Sequence, residues 1–379
     1  MIYFDNASTS FPKVPDIGKV LEEFVKQSAF NINRGNYSSS YKLEERVFEI
    51  REDVKTFFKA DDDYEVVFTS GITEAINIFI SGYHKDGSHI LVSPMEHNAV
   101  MRTLEFYNKE GRLSYSIVDK EDMFSGNLKK YLKNNTTSII VNHSSNVTGD
   151  VFDLSIIGRF AKENNLALMV DTAQSAGEID IDIRENSIDY LAFTAHKGLL
   201  GLEGIGGAVI SPKVKTGIKP LIYGGTGSLS DSFAMPDFYP DKLEAGTRNI
   251  LGIIALGESL KYIKHIGLNK IRETKQNLRS QFLDKISNIH SFKYISLGTK
   301  ETCSVLSFTN NKMDIASISD RLDSEYGICT RVGLQCSPLA HKTLNTFDNG
   351  GTLRFSFSMF NTSEEVDICI NALKDILKV

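Results

Sequence analysis

From about residue 65 to 212, short apolar runs alternate with amphipathic stretches. The runs are EVVFTS (65–70), HILVSP (89–94), SYSIVD (114–119), SIIVNHSS (138–145), LALMVDTA (166–173), DYLAFTA (189–195) and IGGAVIS (205–211). Several are nearly continuous in Val, Ile, Leu and Ala, which suits strands covered on both faces, as in a parallel sheet. Between them, 73–85, 98–111 and 154–165 read as helices. Strand–helix alternation of this kind predicts an α/β layered domain with right-handed crossovers.

Outside this block the pattern changes. Residues 38–60 read as a helix with a serine cap, with Leu43, Val47, Ile50, Val54 and Phe57 on one face. Residues 250–266 and 268–289 read as long helices. After them come strand-like 292–298 and 303–310, a helix over 313–327, strands ICTRV (328–332) and 351–358, and a last helix from 363. That is the pattern of a smaller α+β domain. At 379 residues the chain exceeds the usual size of one core. The expected division is therefore a large domain over 15–255 and a small one from 256–379, with segment 1–14 packing on the latter.

Charge and cysteine content narrow the class. A formal net charge of −6 argues against nucleic acid as a partner, since phosphate binding wants clustered excess Lys and Arg. No apolar run approaches bilayer length, and MIYFDNASTS has neither the basic nor the apolar region of a secretory signal. The four cysteines, Cys303, Cys329, Cys336 and Cys369, form no CxxC pair. A cytoplasmic protein with reduced thiols and no metal site is the expectation.

Several candidate groups fall at the carboxyl ends of predicted strands, where open α/β sheets bind ligands. TSGITEAIN (69–77) is a small-residue turn opening a helix: a phosphate cradle, or an ordinary turn with Thr73 as cap. Asp171 ends an apolar strand and could be a cap, a metal ligand or the partner of a cationic ring nitrogen. FTAHKGLLGLEGIGG (193–207) sets Thr194, His196 and Lys197 just past another strand. A lysine there is either solvated or a desolvated, nucleophilic amine. His97 in MEHN and Asn146 in SNVTG read equally well as capping and turn residues. Lysine, carboxylate and phosphate cradle together are what pyridoxal phosphate requires.

In order and spacing these motifs resemble the class V aminotransferase family of fold-type I pyridoxal-phosphate enzymes, and within it the group II cysteine desulfurases. The likeness runs from FDNASTS (4–10) through NRGN (33–36) to RFSFSMFNTSEEVD (354–367). It implies a large α/β/α domain with a mainly parallel seven-stranded sheet plus a smaller α+β domain. It also implies roles. Lys197 matches the lysine that carries the cofactor, Asp171 the carboxylate at the ring nitrogen, and Gln174 the group at the phenolic oxygen. His97 matches the imidazole stacked on the ring, and Asn146 the asparagine beside cofactor and substrate carboxylate. Ile72 (through its backbone N–H), Thr73, Thr194 and His196 match phosphate ligands. Thr247 matches the threonine that reaches the neighbouring subunit's phosphate, which implies a homodimer with shared sites. Arg354 matches the arginine that clamps the substrate α-carboxylate, with an edge-strand ion pair as its ordinary reading.

The resemblance sets Cys336, in RVGLQCSPLAH (331–341), as the nucleophile that takes sulfur from L-cysteine and leaves L-alanine and a persulfide. Arg331 and His341 are expected to lie near enough to favour its thiolate, and the remaining cysteines read as small buried hydrophobes. Three positions depart from the family pattern. Gln335 stands where many members carry histidine, Asn36 replaces another histidine, and Arg248 stands where proline is common. Selenocysteine lyase activity is a close variant, and a protein sulfur acceptor is an expected partner. A class V transaminase or other C–S lyase, with Cys336 incidental, is the enzymatic alternative, and a cofactor-fold binding module the non-enzymatic one.

Overall fold

The computed structural model describes residues 1–32 and 35–379, so Asn33 and Arg34 of the NRGN stretch lie outside the described residues. The first strand, β1 (Ile2–Tyr3), precedes seven that coincide with the seven apolar runs. These are β2 (Glu65–Thr69), β3 (Ser88–Val92), β4 (Leu113–Ile117), β5 (Thr136–Asn142), β6 (Ala167–Asp171), β7 (Tyr190–Thr194) and β8 (Gly206–Ile210). They form one sheet in the order β2-β8-β7-β6-β5-β3-β4. Only β8 runs against its neighbours; the other pairings are parallel. Because β8 is antiparallel to both β2 and β7, those two run the same way, and all strands but β8 end at one edge.

Both sheet faces are buried, which is why these strands lack alternation. Ile139, Val141, Leu168 and Val170 face a core shared with helices Ser38–Phe57 and Ile250–Ile266. Ile140, Ala167 and Met169 face the opposite core, with helices Ile72–Tyr83 and Asn98–Lys109. The helix over 38–57 lacks the expected serine cap: Ser40 Oγ instead donates to the Asn31 carbonyl at 2.7 Å.

A second sheet is built from β9 (Phe292–Ile295), β10 (Val305–Asn310), β12 (Arg331–Gly333) and β13 (Thr352–Ser356), in the order β12-β13-β10-β9. The ICTRV stretch, expected as one strand, is divided. Its first part, β11 (Ile328–Cys329), pairs in parallel with β1, and its second part is β12. Phe4, Phe282, Phe308, Phe355 and Phe357 fill the core below, so the chain's opening segment packs with its last third. Residue 255 lies inside helix Ile250–Ile266, whose Ile253, Leu256, Leu260 and Ile263 belong to the large core. Among the described residues no helix is long and apolar enough to cross a membrane.

Candidate active site

The shared sheet edge assembles the polar residues singled out from the sequence. Asp171 is the last residue of β6, Thr194 the last of β7, and His196 and Lys197 follow directly. The turn after Lys197 can approach the turn after β6 because both carry glycine. A Cβ on Gly198 would sit 2.2 Å from the Ala176 carbonyl, and one on Gly177 2.0 Å from that of Gly198. Ile72 and Thr73 open helix Ile72–Tyr83, which has no side-chain cap, so its first-turn N–H groups face outward.

Burial sets the electrostatics of this edge. It pushes the Lys197 amine down to about 8, with Arg354 adding to the depression and Asp171 opposing it. Burial also raises the Asp171 carboxyl above the ordinary range, against the Ala173 N–H at 2.8 Å and Lys197. His97 caps helix Asn98–Lys109, its Nδ1 accepting from Ala99 N at 3.0 Å. Desolvation, then Lys197, Arg102 and Arg354, push His97 down to about 4, so the ring is neutral. His196 is neutral for the same leading reason, and its Nδ1 is buried without a partner among the described residues. Gln174 Nε2 donates to the Ala7 carbonyl at 2.9 Å, which leaves one amide hydrogen open.

Arg354, in the middle of β13, is 2% exposed. Its Nη1 donates to the Asn146 carbonyl at 2.9 Å, and its Nη2 to Asp5 Oδ1 at 2.6 Å and Ser8 Oγ at 2.8 Å. A guanidinium has five N–H donors. Three are accounted for by these bonds, and Nε is buried without a partner among the described residues. An incoming carboxylate can therefore find open donors on a cation held by its own counter-charge.

Cys336 is exposed, and its loop is tied down on both sides. Asn98 N–H, next to His97, donates to the Cys336 carbonyl at 2.9 Å. Asn146 Nδ2 donates to the Gln335 carbonyl at 2.8 Å, and Ser337 Oγ donates to Asn146 Oδ1 at 2.7 Å. His97, Asn146, Arg354 and the cysteine loop are thus joined. The expected help from His341 fails: that ring is fully buried, and both nitrogens are engaged by Gln335 and Thr346. Arg331 is exposed, in register opposite Arg354 across β12 and β13.

Thr247 stands apart. It is exposed and lines a separate cleft with Arg51, Glu244 and Arg248, outside the cluster of its own chain. Asp5 and Ser8 escaped the sequence reading, although both fall in FDNASTS; a buried-strand arginine in need of a counter-charge was the available signal. Glu96 was also missed. Fully buried, it accepts from Ser93 Oγ at 2.5 Å and Asn142 N at 2.7 Å, and its Oε2 has no partner among the described residues. Burial foremost, with the nearby Asp171 charge, pushes Glu96 up to about 8.

Comparison with known proteins identifies the family. The family model described as "Aminotransferase class-V" matches residues 2–369. A "Probable cysteine desulfurase" of Methanothermobacter thermautotrophicus is 33% identical, covering 99% of this chain and 94% of the relative. One from Pyrococcus abyssi is 30% identical over 100% and 94%. The apo cysteine desulfurase of Thermococcus onnurineus superimposes with a TM-score of 0.90 at 27% identity, over 100% of this chain and 94% of that one. Escherichia coli CsdA, another cysteine desulfurase, gives 0.84 at 27% identity over 99% and 94%. With its mixed seven-stranded sheet and a family match running almost from end to end, the chain belongs to the class-V aminotransferase family.

Proposed function

We propose that this protein is a cysteine desulfurase that converts L-cysteine to L-alanine and stores the sulfur as a persulfide on Cys336. One observation carries the reading. A half-buried amine (Lys197), a buried guanidinium with open donors (Arg354) and an exposed thiol (Cys336) converge on one sheet edge, the last two joined through Asn146.

The family's cofactor is pyridoxal phosphate, and the residues present fit it. Lys197 offers a low-pKa amine for its aldehyde, Asp171 a buried carboxyl lacking a cation, and His97 a neutral ring fixed by capping. The open N–H groups at Ile72 and Thr73, with Thr194 and the unpartnered Nδ1 of His196, suit the phosphate. Gln174 suits the phenolic oxygen. Bound there, the cofactor supplies an electron sink for the substrate's α-carbon.

Arg354 and Asn146 orient the substrate carboxylate, and Lys197 moves a proton at the α-carbon. Cys336 Sγ attacks the substrate sulfur: an S–S bond forms, the substrate C–S bond breaks, and the β-carbon gains the hydrogen that makes alanine. Sulfur is oxidised and carbon reduced in the same exchange, so no outside redox partner is needed. L-selenocysteine is the close alternative substrate, and a protein thiol the expected sulfur acceptor. A homodimer with Thr247 reaching the partner's site is supported by exposed Ile222, Tyr223, Leu229 and Phe233 in the segment leading to it. A cytoplasmic location and two units complete the proposal, with the boundary moved from the expected residue 255 to the end of helix Ile250–Ile266, because its Leu256, Leu260 and Ile263 pack in the large core.

The test is intact-mass spectrometry of holoenzyme after L-cysteine without reductant. Wild type should gain one sulfur atom, removable by dithiothreitol, and Cys336→Ser none. Lys197→Ala should lose both cofactor colour and alanine formation. Retention of colour and activity by Lys197→Ala would overturn the cofactor assignment.

A further inference from the structure

The loop carrying Cys336 is strained and clasped at once. Gln335 and Cys336 have φ of 41° and 59°, the left-handed region that residues with a Cβ avoid. Two such residues in succession persist only where their surroundings over-determine them.

The over-determination lies in a buried chain of hydrogen bonds under the loop, and its proton positions can be worked out. Gln335 Nε2 donates to the Thr352 carbonyl at 2.8 Å, an oxygen that can only accept. The amide therefore turns Oε1 toward His341 Nε2, 2.7 Å away, so that ring nitrogen must carry the hydrogen. His341 Nδ1 is then left to accept from Thr346 Oγ1 at 2.7 Å. This is a neutral tautomer, and burial holds His341 in that form by pushing it down to about 4. From Thr352 the chain continues: Oγ1 donates to Ser307 Oγ at 3.0 Å, and Ser307 Oγ to the Val147 carbonyl at 2.5 Å. Val147 adjoins Asn146, whose amide holds Gln335 and Ser337 from above. Gln335 is thus gripped through its side chain below and its carbonyl above.

We propose that Gln335 and His341 are positioning residues for Cys336: their clasp with Thr346 and Thr352 holds residues 335 and 336 left-handed and so fixes where the thiol is presented. The inference rests on Cys336 being the thiol that accepts sulfur. Unlike a histidine at the same place, the Gln335 amide cannot titrate. Gln335 contributes geometry to the reaction and no proton.

The test uses holoenzyme with His341→Phe, which keeps bulk and loses both hydrogen bonds. Persulfide formation is followed by quenched mass spectrometry at saturating L-cysteine, and Cys336 alkylation by iodoacetamide is timed without substrate. Persulfide formation should slow by on the order of tenfold, the factor that relaxation of one left-handed residue represents, with KM for L-cysteine unchanged. The alkylation rate should shift as well. His341→Gln, whose amide can still donate to Gln335 Oε1, should recover much of the loss. Wild-type rates in His341→Phe overturn the proposal, as does failure of His341→Gln to differ from it. Should melting curves show His341→Phe unfolded, Thr346→Val decides by the same readouts, with a smaller slowing expected and wild-type rates overturning the idea. The parent reading fails separately, if Cys336→Ala forms alanine at the wild-type rate, and alkylation still reports the clasp in that event.

Discussion

Replacing Asp5 with asparagine asks whether Arg354, the proposed clamp for the substrate carboxylate, is kept ready by an internal counter-charge. Arg354 is 2% exposed and meets Asp5 Oδ1 at 2.6 Å, so the pair is shielded from bulk water. With charge centres about 4 Å apart and an effective dielectric near 20, the attraction is on the order of 4 kcal/mol. Asparagine keeps an oxygen for Nη2 and loses the charge, and the contacts to Ser8 and Asn146 remain. The expected loss of stability in substrate-free enzyme is therefore about 2–3 kcal/mol, below the cost of breaking a buried pair outright. A carboxylate ligand then supplies the counter-charge that Asp5 gave Arg354. L-Alanine, the proposed product, should raise the melting temperature of Asp5→Asn more than that of wild type, and KM for L-cysteine should stay level or fall. The assays are melting curves with and without L-alanine, and initial rates. An equally stable variant, or one with raised KM and less protection by L-alanine, would refute the counter-charge account.

Further predictions concern stability. His84 and His143 are deeply buried and pushed by desolvation to about 4, so on acidification the unfolded chain takes up their protons first. Their stabilising contribution is complete above the ordinary histidine value near 6.5 and falls as pH drops toward 4, by up to about 1.4 kcal/mol per unit for each. Glu96, raised to about 8, acts in the opposite sense and lowers stability as pH rises from the ordinary carboxylate range to 8. Urea midpoints should show Glu96→Gln gaining on wild type as pH rises, with a steeper acid loss; parallel pH profiles would contradict this. Glu178 is 2% exposed, ion-paired with Lys275 and bonded to Ser304 N and Oγ at 2.7 and 2.8 Å. It pins the large-sheet unit to the small one. Glu178→Ala should cost about 3–5 kcal/mol in denaturant titrations, and adding Lys275→Met should restore a good part; a neutral single variant would show the pin to be idle.

The large sheet was legible because strands buried on both faces leave unbroken apolar runs, and each of the seven runs is a strand. The placement of Asp171 and Thr194 at strand ends, with Lys197 just beyond, was legible because the apolar pattern stops there. The rest is encoded at long range. ICTRV has one strand-like composition, yet Cys329 pairs beside Tyr3 while Arg331 pairs opposite Arg354. The short helix Pro338–Thr343 buries His341, whose two ring nitrogens are taken by Gln335 and Thr346 and so are not free to meet the thiol directly. Nothing local pairs Asp5 with a residue 349 positions later, or tells that Gln335 finds Thr352. Gln335 reads in the sequence as a missing histidine; the hydrogen bonds make it half of a clasp.

Counting alanine tests whether Cys336 takes the sulfur. Wild-type and Cys336→Ala holoenzymes are mixed with excess L-cysteine, without reductant or acceptor, and alanine per protomer is followed in time. Wild type should release about one alanine per protomer in a burst, matched by one persulfide, and then continue slowly, since the thiol of the remaining L-cysteine is the one acceptor, until a stronger reductant is added. Cys336→Ala should show no such burst. Alanine formation by Cys336→Ala at the wild-type rate would contradict the account.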